Sequence, residues 1–576
     1  MMRRIVACLV WCIAATTLVY TPGFVGQAEA QTMTPREIRY QWKKAARAYR
    51  QKKYERASML LFDIIENGAA LPGFQRSSRY MMAGALFRQD LKLVSLRYII
   101  QLLSTTKTSQ IDQPFLNSLR GLLRIAQSIG DETLVVKMLR QVKPLLRTPP
   151  KGKDPIKFLL ALPERYKKSA KRTRKWRKRR KRMRNTLAYF LGRMNFLKRS
   201  KKGFFLAHRF FNVIKPEAAN NYYAKALYMK GVMYAWRQRN KNAIKQFRKI
   251  LALKANKPKF KNDLKRIKEY AQYGIARAFY AQGVRTKGRA PKLARKILVR
   301  SLREYSRLSK QRGVFQAQVL FETAYVHFWL DQYHFALGKL IALQSPYYLL
   351  GFFPELQILR ALIYYRNCKY EDTKQTVFRF EKKYQPLKKQ LKEIVARRKK
   401  KKWLIQYFEY YLKQEQLLKA GQKTEIPSSI VARLGEEKSL KNYRLLLDKL
   451  TNELKIIRSK GARWKESNLG RSLLEVALGF RTTLKKFAGA NIWRSMRQVL
   501  RELSKLLSDS GVIQLETLQA QKKELMRYAE GGGIEQDEYR YTIVTEQSHT
   551  YWPYQGEYWR DEIGNYREFI QGECKQ

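Results

Sequence analysis

The chain has 576 residues, with 119 Lys+Arg against 45 Asp+Glu and a net charge of +74. That length is too great for one globular core and points to several domains or an extended repeat array. Beyond the N-terminus no stretch approaches ~20 uninterrupted apolar residues, so no transmembrane helix is expected in the mature chain.

The first element is a targeting segment. Met1–Arg4 is basic, Ile5–Val19 is an apolar run too short to span a bilayer, and Ala28-Glu29-Ala30 has the small-x-small pattern of a signal-peptidase site. This predicts a Sec-type signal peptide over 1–30, a mature start at Gln31, and a location in the periplasm or outer cell envelope. Cys8 and Cys12 leave with it. Cys368 and Cys574 remain, either as one disulfide or as two free thiols, and spacing alone leaves both open.

Next comes a recurring phrase. YRQKKYERASMLLFDII (Tyr49–Ile65) reads as a helix end, a tight polar turn and a second helix. It returns as WRQRNKNAIKQFRKIL (Trp236–Leu251), WLDQYHFALGKLIAL (Trp329–Leu343) and YRNCKYEDTKQTVFRF (Tyr365–Phe380). Each copy carries a small residue after its turn: Ala57, Ala243, Ala336 and Thr373. Between the copies, weaker helical pairs are predicted over Ser78–Leu103, Gln113–Leu146, Leu187–Ile214 and Tyr270–Leu308. Pro149-Pro150, Pro216, Pro258, Pro291, Pro346 and Pro386 read as punctuation.

These phrases resemble the tetratricopeptide repeat (TPR), in its exported bacterial form, over roughly residues 36–384. The resemblance assigns repeat-packing roles to Ala57, to Gly231 and Tyr234 with Ala243 and Phe247, to Ala324 with Ala336, and to Ala361 with Tyr364. It implies an all-α, TPR-like helix-turn-helix superhelical solenoid over 31–386, whose concave face takes other proteins.

Two basic runs interrupt this pattern. Arg165–Arg184 holds 14 Lys/Arg in 20 residues, and RRKKKK fills Arg397–Lys402. Arg172, Arg174, Trp176, Arg177, Arg179, Arg180, Arg397, Arg398, Lys399 and Lys400 are the candidate polyanion contacts. Their targets would be anionic lipid headgroups, lipopolysaccharide or glycans, with nucleic acid as the alternative. A solvated linker and a lining for an acidic partner protein are the competing readings.

Beyond Pro427 the phrases stop. Apolar stripes over Tyr443–Ile457, Leu469–Phe487 and Trp493–Leu507, with breaks at Gly461 and Gly489, predict a longer-helix C-terminal bundle within 387–530. Gly531-Gly532-Gly533 reads as a hinge. A short acidic aromatic tail follows over 534–576, with four Lys/Arg against nine Asp/Glu. Either it folds back on the basic array, or it docks elsewhere through Trp552, Tyr558 and Trp559.

No catalytic, cofactor or metal motif emerges, so no enzyme activity and no cofactor is expected. His208, His327, His334 and His549 lack the partners of a metal site. Glu466-Ser467 matches two residues of the soluble lytic transglycosylases, which also pair a helical superhelix with a C-terminal catalytic domain. The sequence after it lacks that family's following stretch.

Overall fold

The computed structural model describes residues 33–106, 113–129, 132–142, 174–216, 221–255, 258–309, 316–397, 403–530 and 552–574. Among them the protein is all-α, with 21 α-helices and no strand. None of the described helices is long and apolar enough to cross a membrane. The signal-peptide reading lies outside the described residues.

The chain divides into two compact units. The first comprises Met1–Ile125, Gln141–Pro144 and Glu453–Val476. Its opening helix α1 (Pro35–Arg50) starts at a capping box: Thr34 Oγ1 accepts from the Glu37 N–H, and Glu37 Oε2 accepts from the Thr34 N–H at 2.8 Å. Helices α2 (Tyr54–Asn67), α3 (Pro72–Arg88) and α4 (Lys92–Thr105) follow. They enclose Ala45, Leu61, Ile64, Met82 and Leu86, all fully buried. Three helices run on out of this unit: α5 (Gln113–Ile129), α19 (Lys438–Arg458), which enters it at Glu453, and α21 (Asn468–Ala529), which leaves it after Val476.

A distant segment completes this unit. The Glu453 carboxyl group accepts from the Leu93 and Val94 N–H groups at 2.7 and 3.1 Å, which caps the first turn of α4. The one-turn helix α20 (Ala462–Lys465) buries Trp464, whose indole N–H donates to Ser58 Oγ at 3.4 Å. Lys460 pairs with Glu55 at 2.6 Å.

The second unit comprises Ala126–Arg140, Leu145–Asn452 and Ala477–Gln576. After α6 (Glu132–Leu139) its helices pack as consecutive antiparallel neighbours: α7 (Arg174–Phe196) with α8 (Lys201–Asn212), α9 (Tyr222–Trp236) with α10 (Asn240–Leu251), and α11 (Lys261–Lys287) with α12 (Pro291–Ser309). Then come α13 (Gln316–Trp329) with α14 (Tyr333–Gln344), and α15 (Glu355–Arg366) with α16 (Tyr370–Ala396). Helices α17 (Trp403–Lys419) and α18 (Ser428–Glu436) precede α19, and the 62-residue α21 (Asn468–Ala529), in this unit from Ala477 on, is the last helix among the described residues.

Five helix pairs share one joint. At Lys52, Asp90, Gln238, Asp331 and Cys368 the backbone turns left-handed, with φ between 58° and 63°. The next N–H donates to the carbonyl five residues back: Lys53 to Ala48, Leu91 to Leu86, Arg239 to Tyr234, Gln332 to His327, Lys369 to Tyr364. A non-glycine residue in that conformation costs about 1 kcal/mol. The closing hydrogen bond offsets this by satisfying a carbonyl that the helix end leaves open. Five residues after each left-handed residue stands a small, fully buried one: Ala57, Ser95, Ala243, Ala336 and Thr373. Seven residues before it stands another, at Ala45, Ala83, Gly231, Ala324 and Ala361. Small residues at both positions let the two helices of a pair approach closely.

The joint at Asp90 lies in FRQDLKLV, inside one of the weaker predicted pairs. Two sequence-level stops are also overridden. Pro386 lies inside α16, at the cost of one helical N–H, because Leu387, Leu391 and Ile394 beyond it are buried and hold the helix on course. Gly489 lies inside α21, where a Cβ would collide with the Leu404 carbonyl oxygen. It marks a close approach of two backbones and not a break.

Candidate functional site

Aromatic residues between successive pairs build the first face. The buried Phe247 ring lies between Gly231 of α9 and Gly274 of α11, and a Cβ at either glycine would run into it. Tyr228 packs against both Phe247 and Tyr270, with centroids 5.7 and 5.9 Å away. Tyr234 Oη meets His208 Nε2 at 3.1 Å. Further along, Glu322 of α13 accepts from Tyr273 Oη and Tyr305 Oη, both at 2.5 Å, and from Gln318 Nε2 at 3.3 Å. Arg277 Nε stands 3.3 Å from the same carboxylate, and the guanidinium also lies over the Tyr273 ring.

The electrostatics follow from that geometry. Burial and then the Glu322 charge push both tyrosine hydroxyls far above their ordinary range, so their protons stay in place as donors. Burial works against the Arg277 charge, and the Glu322 carboxylate together with Tyr273, Tyr305 and Tyr228 outweighs it, so Arg277 is raised. What this cluster does is tie α11, α12 and α13 together and leave Arg277 facing outward as an exposed cation.

The second face is already occupied. Residues 552–574 run back along α14, α15 and the joint at Cys368. The Glu568 N–H donates to the His334 carbonyl at 3.2 Å, and the Glu573 N–H donates to the Asn367 carbonyl at 2.9 Å. Lys339 donates to the Gly564 carbonyl. Ile570 is buried in the cluster formed by Leu337, Leu340, Leu359 and Ile363, with Ile563 and Tyr566 packed beside it. Glu568 faces Arg360 at 3.8 Å and accepts from Tyr364 Oη at 3.2 Å. Glu573 pairs with Lys369 at 2.6 Å, and Arg567 lies 4.7 Å from the Phe335 ring centroid. A disulfide between Cys368 and Cys574 closes the end.

Burial, with Arg567 nearby, lowers Lys339 to about 8. His327 is lowered to about 4 by burial; it meets Gln332 Oε1 at 2.9 Å and stacks on Phe335. His334 faces Phe569. Among the described residues no group of three or more His, Cys, Asp and Glu is placed to hold a metal ion.

The remaining sequence candidates scatter. Arg172, Arg398, Lys399 and Lys400 lie outside the described residues, as do His549 and the glycine hinge. Arg174, Trp176, Arg177, Arg179 and Arg180 fall on the first turns of α7, with their side chains outside what is described. Arg397 ends α16 and pairs with Glu425 at 3.1 Å. Trp552 and Trp559 are 69% and 50% exposed, with rings 6.1 Å apart, while the Tyr558 carbonyl accepts from Tyr347 Oη at 3.2 Å. Glu466 is exposed at the end of α20, and Ser467 Oγ accepts from the Gly470 N–H at 3.1 Å in the first turn of α21.

Sequence reasoning missed Gly338, Lys339, Arg360, Glu568 and Ile570. The inverted charge of the tail was the one signal that pointed towards them. No protein-family model matches this chain, and no curated protein matches it significantly.

Proposed function

We propose that this chain is an exported, non-enzymatic scaffold of the TPR kind, a solenoid of helix pairs followed by a longer-helix bundle, that binds acidic partner proteins in the periplasm or cell envelope. The observation that carries the reading is the shared joint: five helix pairs have the same left-handed turn with small residues at the same offsets on either side. Within one unit, pairs built to one register stack into an array whose successive first helices make a continuous face. On such a face Tyr228, Tyr273 and Arg277 supply aromatic surface and positive charge, a combination suited to peptide recognition.

The charge supports an acidic partner. If every carboxylate neutralised one cation, 74 cations would still lack an acidic match within the chain. Such a field speeds encounter with anionic proteins, phospholipid headgroups, lipopolysaccharide and glycans, and weakens as salt rises. Crosslinking in intact cells followed by partner identification tests the scaffold. The expected result is a defined protein partner recovered from the envelope fraction. Recovery of the chain in the cytosol without a partner would sink it. The run Arg165–Arg184 favours a second reading, a nucleic-acid-binding protein. Tighter binding of a 20-nucleotide strand than of lipopolysaccharide vesicles at physiological salt would favour that reading.

A further inference from the structure

The face beneath the tail has the parts of a peptide-docking groove. From Tyr566 to Cys574 the tail runs without helix or strand, and the face holds it by means that an extended peptide from elsewhere could equally use. Backbone carbonyls at His334 and Asn367 take its N–H groups, and Lys339 takes one of its carbonyls. Arg360 and Lys369 meet two of its acids. One apolar side chain, Ile570, fills the pocket, and Gly338 lets the backbone at Tyr566 and Arg567 come close, since a Cβ there would collide with it.

The helices under the tail also pack on one another. Ala324, Ala336, Leu340 and Ala361 pack between α13, α14 and α15 in the register that the uncovered pairs also use. The hold on the tail is modest apart from the disulfide. Besides its backbone hydrogen bonds it rests on two acid–cation contacts, one of them at 3.8 Å and the other open to solvent on the acid side, and on one buried isoleucine. A covalent tether converts such a hold into near-complete occupancy by raising the local concentration of the tail. The tether sits at the far end of the tail, and Cys574 is exposed to solvent.

We propose that this face docks an acidic, aromatic peptide segment of a partner protein, and that residues 563–574 are its built-in occupant, set free when the Cys368–Cys574 disulfide is reduced. It rests on the scaffold reading above. A dithiol reductant drives the release: one of its thiolates attacks Cys574 Sγ, the S–S bond breaks, and Cys368 leaves as a thiolate that water protonates. The second thiol of the reductant then displaces Cys574 and closes the reductant's own disulfide, so two electrons pass from the reductant to the protein.

The test uses the full chain and a fluorescein-labelled synthetic peptide with the sequence Trp559–Glu573, followed by anisotropy at physiological salt. The oxidised chain should bind it no better than a scrambled peptide. Cys574→Ser, or the wild type with dithiothreitol, should bind it at least ten-fold more tightly, and Ile570→Asp in the Cys574→Ser chain more tightly again, because the internal competitor is weakened. Gly338→Val in that background should abolish binding. Hydrogen exchange at 563–574 should accelerate in Cys574→Ser while α13 to α15 stay protected. If the folded Cys574→Ser and Ile570→Asp chains leave the peptide unbound, or bind the scrambled peptide equally, the groove does not exist as proposed. Partner recovery by crosslinking would stand in either case, which separates this failure from failure of the scaffold reading.

Discussion

Each unit is completed by a segment from far along the chain, and the two do so in opposite ways. In the first unit, residues 453–476 arrive largely as helix. They contribute a fully enclosed indole at Trp464, a buried carboxylate at Glu453 and the core side chains Leu454, Ile457 and Leu473. In the second unit, residues 552–574 lie along finished helices, with backbone hydrogen bonds, two acid–cation contacts, one buried side chain and a disulfide. The first segment is part of a core, because removing it would leave apolar surface and helix N–H groups bare. The second resembles a ligand that happens to be tethered. Strong burial needs no covalent bond, and the weaker hold has one.

The largest effect should come from the segment with the buried indole. Trp464→Ala removes a side chain that is 3% exposed, together with its hydrogen bond to Ser58. A loss of about 3–5 kcal/mol is expected, enough to unfold the first unit early in a urea titration. A midpoint unchanged from wild type would mean that the segment is peripheral and would collapse the contrast.

A smaller effect, with a sign fixed by pH, is expected at Glu453. Burial raises its carboxyl to about 7, while the N–H groups of Leu93 and Val94 and the charge of Lys92 pull the other way. Lys92 is itself shared with Asp90 at 2.9 Å. Between about 4.5 and 7 the folded chain keeps a proton that the unfolded chain has lost. The contribution is therefore complete below about 4.5, declines as pH rises, and is gone above 7. The first unit should lose up to about 3 kcal/mol from this group between pH 4.5 and 8. Glu453→Gln cannot titrate and should flatten that slope in thermal melts. An identical slope in the variant would assign it to other groups.

These positions also mark what the sequence could and could not convey. The joints at Lys52, Gln238, Asp331 and Cys368 were legible because the turn, the small residue after it and the aromatic near it are all local in sequence. The joint at Asp90 was obscured because Leu91 and Lys92 open its second helix where the other phrases carry an aromatic or polar pair. Gly489 and Pro386 misled for one reason: the cost of a local helix breaker is set by what the rest of the helix buries, and that is tertiary information. Glu453 and Glu322 gave no signal, since their partners come from other helices and no spacing encodes them. The tail was half legible: its inverted charge pointed at a basic face, whereas the pairing of Cys368 with Cys574 needed the fold to bring them together.

The smallest effect is the most discriminating. Cutting a disulfide that closes a separation of 206 residues should cost about 5 kcal/mol if the crosslink acts only on the unfolded chain. That holds if the tail stays in place when the bond is gone. If the tail instead detaches locally, folded and unfolded chains regain similar freedom, and the difference falls below about 1 kcal/mol. The contrast between core and tethered ligand predicts the second outcome. Cys574→Ser should shift the urea midpoint of the second unit hardly at all, while hydrogen exchange at 563–574 rises to that of an exposed chain end. A shift approaching the full crosslink value, with the tail still protected, would make the two segments alike and place the tail in the core.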